Sequence, residues 1–281
     1  MSYKQVDKLS VQYDKQLLNL SGKSARSFAV LVGKARVLTN KRMRELTQSL
    51  ELAANPTSIQ NDIYRSRRIL EELDTIWKKN LVTGGVIWAE NVFPRVHKLG
   101  LKEYNAFESV VGLPLSSFGK VDELQIGTAL NSWKTMMGGY TEQVKQRFSD
   151  ELTVHIMSGV GDRTVLAERL QDIAPTELAG GRVKSFINAE LTKINREGQT
   201  VRQAEYDDFR FTGPDDERIS DICKEHLGVI MSRDEWLELD PEVFSYGLHY
   251  NCRHRLYPIK EEWLTTPEEL QGWEDGRIEY D

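Results

Sequence analysis

The feature that most constrains this chain is a stretch near its C-terminus where cysteine and histidine are concentrated. It begins Cys223-Lys-Glu-His226 and continues 22 residues later as His249-Tyr-Asn-Cys252-Arg-His254. Both cysteines of the chain and three of its five histidines lie there. Two residues separate cysteine from histidine in each pair, a spacing at which a short turn can direct both side chains at one tetrahedral metal ion.

These pairs predict a structural zinc site with Cys223, His226, His249 and Cys252 as ligands. His254 is either a substitute ligand or a group that supports one. Bound zinc would close the segment between the two pairs into a loop. The alternative is that the two thiols are buried in a core and that the histidines only form hydrogen bonds.

The periodicity of apolar residues predicts helices through most of the chain. One clear stripe recurs at steps of three and four residues and consists of Ile69, Leu73, Ile76, Trp77 and Leu81. From about residue 206 the pattern changes to the alternation typical of a strand. We therefore predict a mainly α fold that ends in a small α+β module, in which a metal holds a strand and a helix together.

The chain is long enough for one large domain or two modest ones. Its composition and turn residues suggest a helical N-terminal region (1–112), a helical connector (120–205), a Cys/His module (206–260) and an acidic tail (261–281). The segment Gly112–Gly119, rich in glycine, proline and serine, separates the first two regions and is a candidate hinge.

Glycine and proline predict interruptions in the helices. Ser21-Gly22 is expected to end a first helix, so that a second one occupies Ser24–Ala54. Gly84-Gly85 is expected to bend or break the chain, and Pro94 is expected to end or kink the helix after that break.

Three elements are expected around the cysteines. Asp208–Thr212 should form a strand and Ile219–Leu227 a short helix that carries Cys223. Tyr246–Tyr257 should be extended, with Pro258 ending it.

One acidic residue falls on an apolar helix face. The helix expected to open at Pro175-Thr176 places Glu190 three residues after Ile187 and four after Phe186. A carboxylate there must find a partner or take up a proton. We expect it to reach solvent or to pair with an arginine such as Arg182, rather than to take part in catalysis.

Charge is unevenly distributed along the sequence. Residues 1–80 contain 15 Lys and Arg against 8 Asp and Glu, whereas residues 261–281 contain eight acids and one Arg. This asymmetry is consistent with a basic end that touches an anionic partner and an acidic tail that faces basic partners or solvent. Two solvated surfaces are an equally acceptable interpretation.

The polar N-terminus does not resemble a signal peptide. The longest apolar run near it, Phe28–Val32, is too short to span a bilayer. We therefore expect synthesis in a reducing cytoplasm, no membrane partner and no disulfide, which leaves both thiols available for a metal.

The order of features from Arg182 to Pro258 resembles the phage Mu F-like minor head proteins, also called head morphogenesis proteins. The most specific part of the resemblance is the ending His-x-x-Cys-Arg, followed by a proline. The counterparts in this chain are Glu190, Phe209–Thr212, Asp215-Asp216-Glu217-Arg218, Cys223-x-x-His226 with Gly228, His249-Tyr-Asn-Cys252-Arg253-His254 and Pro258; Tyr140–Leu170 is similar to the connector of that family.

This chain departs from the family pattern at two places. His226 and His254 stand where the family has cysteines, and both residue types can bind zinc. Asn188-Ala189-Glu190 replaces the usual Arg-Thr-Glu.

The resemblance implies a minor structural protein of a tailed-virus head, made in the host cytoplasm and located in the head interior or at the portal vertex. Its implied partners are the portal protein, inner capsid proteins and packaged DNA. Its implied roles are head assembly, DNA packaging or DNA delivery.

An enzymatic alternative comes from the same residues. His249-Tyr-Asn-Cys-Arg-His254 resembles the end of a His-Asn-His nuclease site, where a histidine activates water and a metal holds phosphate. A Cys252 nucleophile with His249 as its base is a further arrangement.

Four protein ligands would close the metal site, whereas a catalytic zinc keeps one position open. The sequence also lacks a phosphate-binding loop, a nucleophile elbow and His-Glu-x-x-His. We therefore predict that the protein is not an enzyme.

Overall fold

The computed structural model describes residues 3–53, 55–158, 162–173 and 181–278. The chain forms two compact units, each assembled from separate stretches of sequence. Unit 1 contains Met1–Ser24, Val92–Ala129 and Ser185–Asp281, and unit 2 contains Ala25–Asn91 and Leu130–Lys184.

The predicted fold class is confirmed: the protein is mainly α with a small α+β module near the C-terminus. The longer helices are α1 (Lys4–Ser49), α2 (Pro56–Trp77), α3 (Gly84–Val111), α4 (Lys120–Ser158), α5 (Arg163–Ile173) and α6 (Gly181–Thr200). The module contains β1 (Asp208–Thr212), α7 (Asp221–His226), β2 (Ile230–Ser232), α8 (Arg233–Leu239), α9 (Val243–Tyr246), β3 (Arg255–Pro258) and α10 (Pro267–Glu274). A π-helical turn, Lys78–Thr83, and short 3₁₀ turns at Val201–Gln203 and Glu261–Trp263 complete the described elements.

Helix starts follow local capping chemistry. Asn55 accepts a hydrogen bond from the Ser58 amide at 2.9 Å, and Pro56 occupies the first turn of α2, where no backbone donor is needed. Asp162 caps α5 in a similar way, because it accepts from the Thr164 amide at 2.7 Å. The start predicted at Pro175-Thr176 lies outside the described residues.

The predicted break at Ser21-Gly22 is wrong, because α1 runs without interruption through it. The Ser21 hydroxyl donates to the Leu18 carbonyl at 3.2 Å, so it is satisfied within the helix and offers the backbone no alternative partner. One glycine costs a helix only about 1 kcal/mol relative to alanine, which the buried apolar face of a long helix can offset.

Helical backbone also continues from the π-helical turn Lys78–Thr83 into α3, past Gly84-Gly85 and through Pro94. Gly85 serves close packing: the Trp133 indole donates to its carbonyl at 3.1 Å. Two residues near the proline, Phe93 and Val96, are buried. Their packing holds α3 together although proline removes one helical hydrogen bond.

The three strands form an antiparallel sheet in the order β2-β1-β3. The central strand β1 confirms the predicted strand and pairs Phe209 with Met231 on one side and with Pro258 on the other. The expectation of an extended Tyr246–Tyr257 is wrong over most of its length. A left-handed backbone at Gly247 (φ 77°) and at Asn251 (φ 65°) folds this segment into turns before β3 begins.

The ends of unit 1 pack against each other. The Tyr3 amide donates to Glu269 of α10 at 2.7 Å, and the Tyr3 hydroxyl donates to the Pro258 carbonyl at 2.8 Å. Arg210 of β1 donates to the Ile278 carbonyl at 2.7 Å and forms an ion pair with Asp7 of α1. The first turns of α1 are therefore part of the C-terminal module.

Glycine allows α3 and α6 to approach each other within unit 1. A Cβ atom on Gly100 would lie 1.9 Å from the Asn195 carbonyl oxygen, and one on Gly198 would lie 2.6 Å from the His97 carbonyl oxygen. Both neighbours are backbone atoms, so the two helices could accept a side chain there only by separating.

We therefore expect Gly100→Ala to destabilise unit 1 by at least about 3 kcal/mol, the upper end of typical overpacking costs. Gly22→Ala is the matched control, because no atom lies within 4 Å of the added Cβ on α1. It should leave stability unchanged or raise it by up to about 1 kcal/mol. Urea unfolding of the two variants measures the difference, and equal stabilities would contradict the close helix contact.

Candidate metal centre

The two cysteines are presented by a helix and by a turn. Cys223 lies in the first turn of α7, where its amide donates to the Ser220 hydroxyl at 3.4 Å. Cys252 follows Asn251, and its amide donates to the His249 carbonyl at 3.0 Å. The tight turn from His249 to Cys252 lets both of its end residues face α7.

Three of the predicted ligands come together. The two Sγ atoms lie 3.5 Å apart, and the ligand atoms of Cys223, His249 and Cys252 all lie within 4.8 Å of one another. Two thiolates bound tetrahedrally to zinc at about 2.3 Å are ~3.8 Å apart, so the observed spacing fits a shared ion with little movement. This convergence confirms a cluster compatible with a metal ion.

The cluster is built into an apolar core. Cys223 and Cys252 are 0% and 1% exposed, whereas His249 is half-buried. The residues packed with the cysteines are Phe209, Phe211, Trp236, Val243, Leu248 and Leu256, so the sheet and the short helices both contribute to the surroundings of the thiols. Of the three ligand residues, His249 is the one that reaches solvent.

The contact between the two thiols shifts their pKa values in opposite directions. The hydrogen bond from Cys223, with further ones from His249 and His254, holds the pKa of Cys252 far below its usual range. The bond to Cys252, together with burial, raises the pKa of Cys223. The Cys252 thiolate in turn raises the pKa of His249. A metal ion binds cysteine as the thiolate, so its entry would displace thiol protons from this pair.

The remaining two histidines lie outside this group of three. His254 stacks on Phe211, and its Nδ1 lies 3.8 Å from the Cys252 sulfur while its Nε2 contacts the Pro214 carbonyl at 3.0 Å. His226 is one helical turn from Cys223, with its Nδ1 2.8 Å from the Ile222 carbonyl. Their role as ligands stays a prediction.

A buried arginine supports the turn that carries Cys252. Arg196 of α6, 3% exposed, donates to the carbonyl oxygens of Ser245 at 3.2 Å and Cys252 at 2.9 Å, and also to that of His254. Burial lowers the pKa of Arg196, and the neighbouring Cys252 raises it. The guanidinium therefore fixes three carbonyl groups and places a positive charge beside the thiolate.

Sequence reasoning missed both Arg196 and Gly247. A Cβ atom on Gly247 would lie 2.7 Å from the Cys252 sulfur and 2.9 Å from an Arg196 nitrogen. Glycine is a common turn residue, so Gly247 could have indicated a turn in this segment. Nothing in the periodicity of α6 marks Arg196 as a buried donor. Its role depends on carbonyl groups some 50 residues away in sequence.

Glu190 is half-buried on α6. Burial raises its pKa, whereas the charge of Lys193 and a hydrogen bond with Tyr246 lower it. Two turns further along, burial raises the pKa of Glu197 to about 7. The partners that the structure gives Glu190 are therefore Lys193 and Tyr246; the side chain of Arg182 lies outside the described residues.

We expect Arg196→Met to destabilise unit 1 by about 3 kcal/mol, because it leaves three carbonyl acceptors without their charged donor. Arg218→Met is the control, since Arg218 is exposed and its loss should change stability by less than about 0.5 kcal/mol. Chemical unfolding gives both values. Similarly small effects for the two variants would show that the turn carrying Cys252 is stable without the hydrogen bonds from Arg196.

The described residues include no helix with the length and apolar character needed to cross a membrane. No protein-family model, no curated protein and no solved structure matches this chain. The inference to function therefore rests on the geometry of the site and on the order of sequence features around it.

Proposed function

We propose that this chain is a minor structural protein of a tailed-virus head, bound to the portal or to inner capsid proteins, and that it acts in head assembly, DNA packaging or delivery. The observation that carries the proposal is the burial of both cysteine side chains in the apolar core of the module. A site that is part of the core supports the shape of a module more readily than it admits a substrate. The resemblance of residues 182–258 to minor head proteins supports the same conclusion.

We further propose that the cluster holds zinc. Cys223, His249 and Cys252 would supply three ligands, and the soft sulfur donors favour zinc over magnesium or calcium. The fourth ligand is His226 or His254. Bound zinc would supply folding free energy, tying α7 to the turn before β3.

We place part of the partner surface on the N-terminal helices, Lys4–Lys98. Several large apolar side chains on them are exposed, and Val30 and Val37 lie seven residues apart on one face of α1. A contiguous exposed apolar patch marks a site of protein association, and these side chains are the ones through which we propose that such a contact forms. Location at the portal vertex or in the head interior would follow from that association.

One observation favours the alternative of a metal-dependent nuclease. The structure brings together three ligand residues, one of them half-buried, and a catalytic zinc also has three protein ligands and an open position. Against it, both thiols are sealed from solvent, so only His249 faces a side from which phosphate could approach. The number of protein ligands on the bound metal distinguishes the two functions.

We expect the purified protein to contain about one zinc per chain, with sulfur and nitrogen ligands. Cys252→Ser should abolish zinc binding and lower hydrogen-exchange protection within residues 206–260, because the metal stabilises that module locally.

Whichever of His226→Ala and His254→Ala lowers zinc affinity identifies the fourth ligand. His155→Ala, a change in unit 2, is the control and should keep its zinc. Full zinc content in Cys252→Ser would contradict the site.

We expect the chain to co-purify with the portal or an inner capsid protein and to cut no DNA. Val30→Lys combined with Val37→Lys should abolish association, because it places two charges in an apolar contact. Val154→Lys, at another exposed apolar position in unit 2, should not.

A nuclease assay with zinc, magnesium and manganese completes this test. DNA cleavage that disappears in His249→Ala while zinc is retained would replace the structural role by the nuclease. A folded protein that associates with no head component would remove the virion role.

A further inference from the structure

A groove in unit 1 is lined by cations. It has a volume of about 370 Å³ and lies between α1 and α3. Its charged lining consists of Lys23 from α1 and Arg95, Lys98 and Lys102 from α3, and Leu20 and Leu99 contribute apolar surface. No carboxylate lines it among the residues that the structure describes.

The acidic residues of the same helical segments point inward. In residues 3–24 and 92–111, Asp14, Glu103 and Glu108 are buried, and Asp7 forms an ion pair with Arg210. Oδ2 of Asp14 lies 3.5 Å from Nη1 of Arg253, and Oε1 of Glu103 lies 3.0 Å from Nε of Arg255. Three of these four carboxylates are buried, and Asp7 lines a different pocket, so none of them lines the groove that the four cations occupy.

This arrangement produces a local positive potential on the surface of a protein whose net charge is negative. The whole chain has a formal net charge of -6, yet the charges that line the groove have one sign. A concave surface lined by one sign of charge concentrates ligands of the opposite sign. The ligand that this groove selects is an anion.

The spacing of the cations fits a regular polyanion. Arg95, Lys98 and Lys102 follow one another at steps of three and four residues, so they share one face of α3 and span ~10 Å of its axis. Phosphates along one nucleic-acid strand advance by about 3.4 Å each, so the groove accommodates roughly three of them.

No aromatic side chain lines the described groove itself. The exposed ring of Phe118 lies beside it and already contacts the Lys98 ammonium, 5.1 Å from the ring centroid, so unstacked bases would find no ring inside the groove to stack on. We propose that this groove binds the phosphate backbone of double-stranded nucleic acid, whose bases are already stacked, without reading its sequence. The inference depends on the groove alone, so it and the proposed virion role can fail separately.

The test is binding of the full chain to a fluorescent duplex DNA over a range of salt concentrations. We expect log K to fall with log salt with a slope between about -2.7 and about -3.6, as three phosphate contacts along α3, or these with a fourth at Lys23, would give. Lys98→Gln combined with Lys102→Gln should reduce that slope by about 2 and weaken binding roughly tenfold or more at low salt.

Matched variants make the result specific. Lys34→Gln combined with Arg36→Gln removes the same charge from exposed positions of α1 in unit 2 and should leave the slope unchanged. Lys98→Arg with Lys102→Arg should retain binding. Thermal melting checks that every variant is folded.

The choice of competitor tests the class of ligand. A single-stranded DNA of equal length should compete less well than the duplex, and polyglutamate should compete weakly. Equal losses in the groove and control variants, polyglutamate competition equal to that of duplex DNA, or no binding by the folded wild-type chain would each overturn the proposal.

Discussion

The hydrogen bonds from one buried guanidinium hold the candidate metal centre in place. Removing Arg196 from water is costly, and the cost is offset because carbonyl groups from α9 and from the loop that follows it converge on the guanidinium. That loop contains the turn from His249 to Cys252, so the position of the thiolate depends on a residue of α6. Alongside it, Arg255 of β3 pairs with the fully buried Glu103 of α3, which also accepts from the Tyr257 hydroxyl at 2.6 Å.

These buried polar groups give unit 1 a specific arrangement that apolar packing alone does not define. A hydrophobic core tolerates many repackings, whereas each charged group here has few positions in which it is satisfied. The pairing of internal acids with internal arginines also separates the charges by sign, with carboxylates inside and lysines outside around the groove of α1 and α3. Net charge read from the sequence conceals this separation.

The sequence predicted those features that depend on local pattern. Alternation identified β1, and periodicity identified the helical character. The two-residue spacings predicted four ligands, of which the structure brings together Cys223, His249 and Cys252 and leaves His226 outside the group. The sequence did not predict features that depend on contacts between residues distant along the chain. The continuity of α1 through Gly22 depends on the buried face of the entire helix, and the conversion of Tyr246–Tyr257 into turns depends on close contact between Gly247, Cys252 and Arg196.

The contacts between the ends of unit 1 also determine when that unit can fold. Tyr3 bonds to Pro258 and Glu269, and Asp7 bonds to Arg210, so the first helical turns find their partners only after more than 200 further residues have been synthesised. Unit 2, which uses Ala25–Asn91 and Leu130–Lys184, has all of its residues outside the ribosome much earlier. The amphipathic start of α1 must therefore wait on the nascent chain with its apolar side uncovered. This topology makes the start of α1 a late-folding segment of unit 1.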